Sequence, residues 1–108
     1  MVRVTMWKDK EGQWHGFEVE GHAAFAPCGE DIVCAAVSIL AQTTVLSLQK
    51  IVGMEPEVNV SEGYLTCRLG SIKNEKSRSD AVLLLSSLAL GLEETARNYP
   101  GYLQVIYE

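Results

Sequence analysis

Cys34 and His22 are the two residues in this sequence whose types and spacing are best suited to covalent chemistry. A thiol becomes a nucleophile only as its thiolate, and a nearby imidazole or a helix N-terminus is the usual means of producing one. Residues 20 to 38 read EGHAAFAPCGEDIVCAAVS. A strand is expected to end at Gly21 and His22. A loop carrying Pro27 and Gly29 follows, and Asp31 then caps an apolar helix. Cys34 would be the third residue after that cap, with Ser38 on the same face one turn further along. In such a setting Cys34 would attack a carbonyl carbon. His22 would take the thiol proton and later return it to a leaving amine. Unpaired backbone N–H groups of the first helical turn would hold the oxyanion.

Each of these residues also has a plainer reading. A cysteine on an apolar helix is commonly inert packing. His15, His22, Cys28 and Cys34 could ligate zinc, but they lack the close paired spacing of zinc sites. Cys28 and Cys34 could form a redox pair, but a six-residue separation is not a Cys-x-x-Cys arrangement. Asp31 either orients His22 or serves only as the cap. Ser38 either hydrogen-bonds near the thiol or bonds back to its own helix. The segment Ala23, Phe25, Pro27, Gly29 is either an ordinary connector or a substrate-shaping loop between base and nucleophile. Cys67 shares the apolar face of a strand with Leu65 and Leu69 and is read as a small core hydrophobe. His15 is read as a half-exposed residue at a strand end.

The composition narrows the classes. A chain of 108 residues makes one domain with a single core, spanning 1–108. Its hydrophobic share of 47% and charged share of 21% are those of a globular protein. A net charge of −5 argues against a nucleic-acid backbone as ligand and mildly favours a basic partner. No positive-then-apolar pattern opens the chain, so export is not expected. The apolar stretch from Ile32 to Leu48 is broken by Ser38, Gln42, Thr43, Thr44 and Ser47, which reads as a buried helix rather than a membrane span. Three cysteines without repeated spacing imply neither a disulfide framework nor a zinc ribbon, and so a reduced, cytoplasmic protein.

The elements that must position the pair follow from periodicity. Val2, Val4 and Met6 alternate in a first strand, turn residues follow at 9–12, and Trp14 to Glu20 alternates again. A helix from the Asp31 cap runs to about Val52, stopped by Gly53 and Pro56. It is apolar nearly all round, so it should be packed on both sides or lie at a subunit interface. Glu57–Ser61 and Tyr64–Leu69 form a second hairpin about Glu62-Gly63. Ser79 or Asp80 caps a second helix whose Ala81, Leu84, Leu85, Leu88, Leu92, Ala96 and Tyr99 keep helical spacing up to Pro100-Gly101. Tyr102 to Tyr107 is a last strand. The order ββαββαβ predicts an α+β fold, with two helices on a mixed or antiparallel sheet.

Gly21-His22-Ala23, Gly29 and Asp31-Ile32-Val33-Cys34-Ala35-Ala36-Val37-Ser38, with the closing Tyr99-Pro100 and Tyr102 to Ile106, resemble the ribosomal-processing cysteine protease family, Prp. The resemblance covers nearly the whole chain. It implies a cytoplasmic cysteine endopeptidase with His22 and Cys34 as catalytic dyad, and with no metal and no cofactor. Gly21, Asp31 and Ser38 match further motif positions and would have supporting roles, and the loop between the dyad residues would settle on substrate. The implied substrate is a large-subunit ribosomal protein made with a short N-terminal extension, cut after an aromatic residue. A homodimer is implied, with no direct nucleic-acid or membrane partner. The rival to catalysis is a ribosome-associated binding domain of the same fold that holds a basic partner.

Overall fold

The computed structural model describes residues 1–21 and 32–108 in full, and the backbone of 28–31. Two strands, β1 (Val2–Lys8) and β2 (Trp14–Glu20), precede a helix, α1 (Cys28–Ser47), which runs on through a single π-helical turn at Leu48–Val52. Strands β3 (Glu57–Ser61) and β4 (Tyr64–Arg68), helix α2 (Glu75–Asn98) and strand β5 (Leu103–Tyr107) complete the order. This is the expected ββαββαβ arrangement.

The five strands form one sheet in the order β3-β4-β2-β1-β5. β5 runs parallel to β1 and the other neighbours are antiparallel, so the sheet is mixed. Its register explains the alternation in the sequence. Val58, Cys67, Phe17 and Met6 stand opposite one another across four strands, and Val60, Leu65, Val19, Val4 and Val105 across five. Paired residues project to the same side of a sheet, so these two rows make one apolar face. Val4, Met6, Phe17 and Cys67 are all fully buried there. Val33, Val37, Ala41 and Val45 of α1, Leu48 of the π-helical turn, and Ala81, Leu85, Leu88 and Leu92 of α2 close over that face to form the core.

The helices meet closely. A Cβ at Gly91 of α2 would stand 3.1 Å from a methyl of Leu40 on α1, so the missing side chain sets their approach. By length and composition, Ile32–Val52 is apolar enough to cross a membrane. Its inner face nonetheless belongs to the core of this domain, as expected. The outer face is another matter. Ile32, Ile39 and Leu46, spaced by seven, are 48%, 64% and 49% exposed. Among the described residues, only one side of α1 belongs to the core.

Both helix starts differ from expectation. α2 begins at Glu75, not at Ala81, because Asn74 is its cap and accepts from the Ser77 backbone N–H at 2.8 Å. The first turn is charged and exposed, with Lys76 and Asp80 paired at 2.9 Å, so no apolar period announced it. α1 begins at Cys28, three residues before the expected Asp31 cap, so Asp31 lies inside the first turn rather than at its cap. The predicted stop is found: Gly53 takes the left-handed conformation (φ 81°) and its N–H bonds the Leu48 carbonyl.

Candidate active site

Gly21 directly follows β2, where the chain leaves the sheet before His22. Its φ is +85°, a conformation that L side chains rarely adopt, and its N–H donates to the Gly63 carbonyl at 2.9 Å. A Cβ there would fall 2.6 Å from the Met1 carbonyl oxygen. Glycine is therefore required twice over, by conformation and by space. Because β4 inserts beside β2, the β3–β4 turn is brought against Gly21 and across from α1.

Between α1 and that turn lies a cavity of about 210 Å³. Cys34, Val37, Ser38, Ala41 and Gln42 form its helical wall. Val60, Gly63, Tyr64 and Leu65 face them, and Val2, Val19 and Gly21 lie between. Cys34 is half-buried and carries a free thiol. The structure thus brings together three of the residues singled out in the sequence, Gly21, Cys34 and Ser38. His22, Ala23, Phe25 and Pro27 lie outside the described residues, as do the side chains of Cys28 and Asp31; Gly29 is placed on the first turn of α1. The wall residues 37, 41 and 42 follow from Cys34 by helical spacing alone and were legible. The contribution of the β3–β4 turn required the strand order.

Ser38 bonds within its own helix, to the residue one turn on. Its Oγ accepts from the Gln42 side-chain amide at 2.7 Å, which leaves the hydroxyl proton to be donated elsewhere. The Tyr64 side chain projects with Glu18, Glu20 and Arg3 from the other face of the sheet, where its hydroxyl donates to a Glu18 carboxylate oxygen. That hydrogen bond, followed by burial and the Glu18 charge, raises the tyrosine pKa above its usual value and keeps the phenol protonated. None of the described lining residues carries a formal charge.

The position of Cys34 in α1 corrects two expectations. It is the seventh residue of the helix, not the third after a cap. The unpaired N–H groups of a helix belong to its first four residues, so the Cys34 N–H lies inside the bonded ladder. An oxyanion hole built from first-turn amides beside the thiol does not follow. The helix dipole also fades within the first turn, which leaves an imidazole as the stronger means of activation. Cys28 and Cys34 lie six residues apart on one helix, a rise of about 9 Å, beyond the roughly 7 Å that a disulfide can bridge. The intact helix therefore forbids that pairing.

Cys67 behaves as read: it is fully buried, and burial pushes its thiol up to about 11. His15 is half-buried at the start of β2, and its carbonyl accepts from the Leu69 N–H at 2.9 Å. Among the described residues, no group of three or more His, Cys, Asp and Glu side chains is placed to hold a metal ion. Iodoacetamide near neutral pH is expected to modify Cys34 at least about tenfold faster than Cys67, which should react only on unfolding. Peptide mapping after timed quenching checks this, and equal rates in the folded protein would contradict it.

A half-buried thiol at the edge of a cavity, on this sheet order, invites comparison with known thiol enzymes. The family model described as "Cysteine protease Prp" matches residues 1–104. The chain belongs to the Prp family of cysteine proteases. The ribosomal processing cysteine protease Prp of Bacillus subtilis (strain 168) is 30% identical over 107 residues, covering 97% of this chain and 96% of that protein. Among solved structures, SMU.848 from Streptococcus mutans superposes with a TM-score of 0.85 at 31% identity, over 100% of this chain and 99% of that one. Prp from S. aureus has the same fold over the whole of both chains. It has been solved with a substrate peptide (TM-score 0.86, 22% identity) and with a covalently linked product peptide (0.84, 24%). As a member of the Prp family this chain is a cysteine protease, and the fold expected from its sequence is the family's fold.

Proposed function

We propose that this protease removes a short N-terminal extension from a large-subunit ribosomal protein, in the cytoplasm, with Cys34 as nucleophile and His22 as general base. The observation that carries the reading is the half-buried Cys34 thiol at the edge of a cavity of about 210 Å³ whose described lining residues carry no formal charge. The relatives' ribosomal-processing role and the peptide complexes of the S. aureus protein support it. In the reaction, His22 accepts the thiol proton as Cys34 Sγ bonds the scissile carbonyl carbon. The tetrahedral adduct collapses to a thioester as the C–N bond breaks, and His22 returns the proton to the departing amine. Water, deprotonated by the same imidazole, then hydrolyses the thioester and restores the thiol.

The test is cleavage of a peptide spanning the junction of extension and mature protein by the reduced, folded chain. Two fragments divided at the junction support the proposal. An intact peptide would exclude this substrate, and stable binding without cleavage would favour the binding-domain alternative.

The assembly belongs to the same proposal. Ile32, Ile39 and Leu46 form an exposed stripe on α1 at seven-residue spacing, the pattern of a helix that packs on a partner. We infer that the partner is a second copy. Sedimentation should give a dimer for the wild type. Ile39→Glu should weaken association by about tenfold or more, since it would bury an unpaired carboxylate. A monomeric wild type, or a dimer indifferent to Ile39→Glu, would contradict the inference.

A further inference from the structure

Attack by a thiol leaves a negative charge on the carbonyl oxygen of the adduct, and a donor must receive it. The Cys34 N–H is committed to the bonded ladder of α1, so a side chain has to take that part. Besides Cys34, the described wall of the cavity holds four residues with a side-chain donor: Ser38, Gln42, Ser61 and Tyr64. Ser61 and Tyr64 stand opposite each other on β3 and β4 and project from the other face of the sheet. Ser38 and Gln42 remain. They follow Cys34 along one edge of α1 in successive four-residue steps.

The bond between these two differs from those of other hydroxyls on the same layer of helices. Thr44 and Thr95 donate to the carbonyls of Leu40 and Gly91, one turn back, at 2.8 Å each, as helical hydroxyls commonly do. Ser38 instead accepts the Gln42 amide at 2.7 Å, and among the described residues its own proton has no acceptor. An amide donating into the oxygen polarises the O–H bond and restricts where it can point. Residues four apart on a helix hold their Cβ atoms about 5–6 Å from each other. The oxygen of a carbonyl bonded to Sγ would enter that gap between sulfur and hydroxyl.

We propose that Ser38 donates a hydrogen bond to the oxyanion formed on Cys34, and that Gln42 is the positioning residue that aims the Ser38 hydroxyl. The proposal rests on the peptidase reading. As Sγ bonds the carbonyl carbon, the π pair of the C=O bond moves to oxygen and the thiol proton passes to His22. Ser38 keeps its proton and shares it with the new oxyanion. Such a donor serves the transition state rather than the bound substrate, so its loss lowers kcat and leaves affinity alone.

The experiment compares wild type with Ser38→Ala, Gln42→Met and the double variant; alanine and methionine both suit a helix, and methionine keeps the length of glutamine without its amide. Each is measured for kcat on the junction peptide, and for peptide affinity in the same chain carrying Cys34→Ala. Each is also measured for affinity to a peptide aldehyde of the extension sequence, across whose C=O bond the Cys34 thiol adds, sulfur to carbon and proton to oxygen. The rate of Cys34 alkylation by iodoacetamide against pH reports on the thiol itself. Ser38→Ala should lower kcat about a hundredfold and weaken the aldehyde by a comparable factor, with peptide affinity and the alkylation profile nearly unchanged. Gln42→Met should cost about tenfold in both when Ser38 is present and nothing further in Ser38→Ala. Losses that simply add in the double variant would detach Gln42 from Ser38. A shifted alkylation profile with aldehyde affinity intact would assign Ser38 to the thiol instead. Either result, or full activity in Ser38→Ala, overturns the proposal. A wild type that binds the aldehyde but leaves the junction intact would refute the substrate, and the aldehyde series would still decide the donor. Cleavage indifferent to the variants refutes the donor alone, and neither cleavage nor adduct overturns both.

Discussion

Cys34→Ala is expected to lower kcat/KM on the junction peptide by at least about a thousandfold while leaving peptide affinity nearly unchanged. The reasoning is structural as well as chemical. Cys34 stands half-buried at the cavity edge, whereas Cys67 is sealed in the core with its thiol pushed up to about 11 and cannot substitute. His22→Ala is expected to fall by a similar factor for a reason specific to this helix. Cys34 is the seventh residue of α1, beyond the reach of the terminal amides, so in the proposed dyad the imidazole carries most of the activation. The two variants should differ in pH response. Activity of His22→Ala should rise steeply with pH as hydroxide takes over the proton, whereas Cys34→Ala should stay inactive throughout. Initial rates across a pH series check this, and a His22→Ala enzyme with near wild-type activity at neutral pH would contradict the dyad.

The second large effect is at Gly21. Gly21→Ala is expected to destabilise the fold by about 2–3 kcal/mol, lowering Tm on the order of 10 °C. Two costs combine. The side chain must adopt φ +85°, and its Cβ must displace the Met1 carbonyl oxygen from 2.6 Å, which shifts the start of β1. Gly12 supplies the control, since it has φ +80° but nothing within 4 Å of its Cβ. Gly12→Ala should therefore cost only the conformational part, about 1 kcal/mol. Thermal melts of the two variants separate the terms, and equal losses would show that contact with Met1 contributes nothing. Since Gly21 precedes His22, activity of Gly21→Ala measured well below its Tm should also fall, which a purely global loss of stability would not produce.

Much of this architecture is written in local patterns. The alternation of Val2, Val4 and Met6, the Glu62-Gly63 turn and the Gly53 stop each follow from short-range rules, and each is found. The helix starts were less legible, because a polar first turn such as Glu75 to Arg78 has no apolar period and Asn74 is only one of several polar residues able to cap it. Within the site, Cys34, Ser38 and Ala41 share a helix face that spacing alone reveals. Tyr64 and Leu65 do not announce themselves. They reach the cavity only because β4 inserts between β3 and β2, a pairing set by contacts distant in sequence. The correction to the oxyanion reading has the same origin: a four-residue change in where α1 begins moves Cys34 from the free amides into the bonded ladder.

The most direct test of the central claim is to trap the covalent intermediate. The reduced enzyme is mixed with excess junction peptide, quenched in acid within the first turnover, and weighed intact. The account predicts a transient species heavier by the mass of the extension fragment less one water, mapped to Cys34 after digestion and absent in Cys34→Ala. Cleavage at the junction with no adduct on Cys34, or undiminished cleavage by Cys34→Ala, would contradict it.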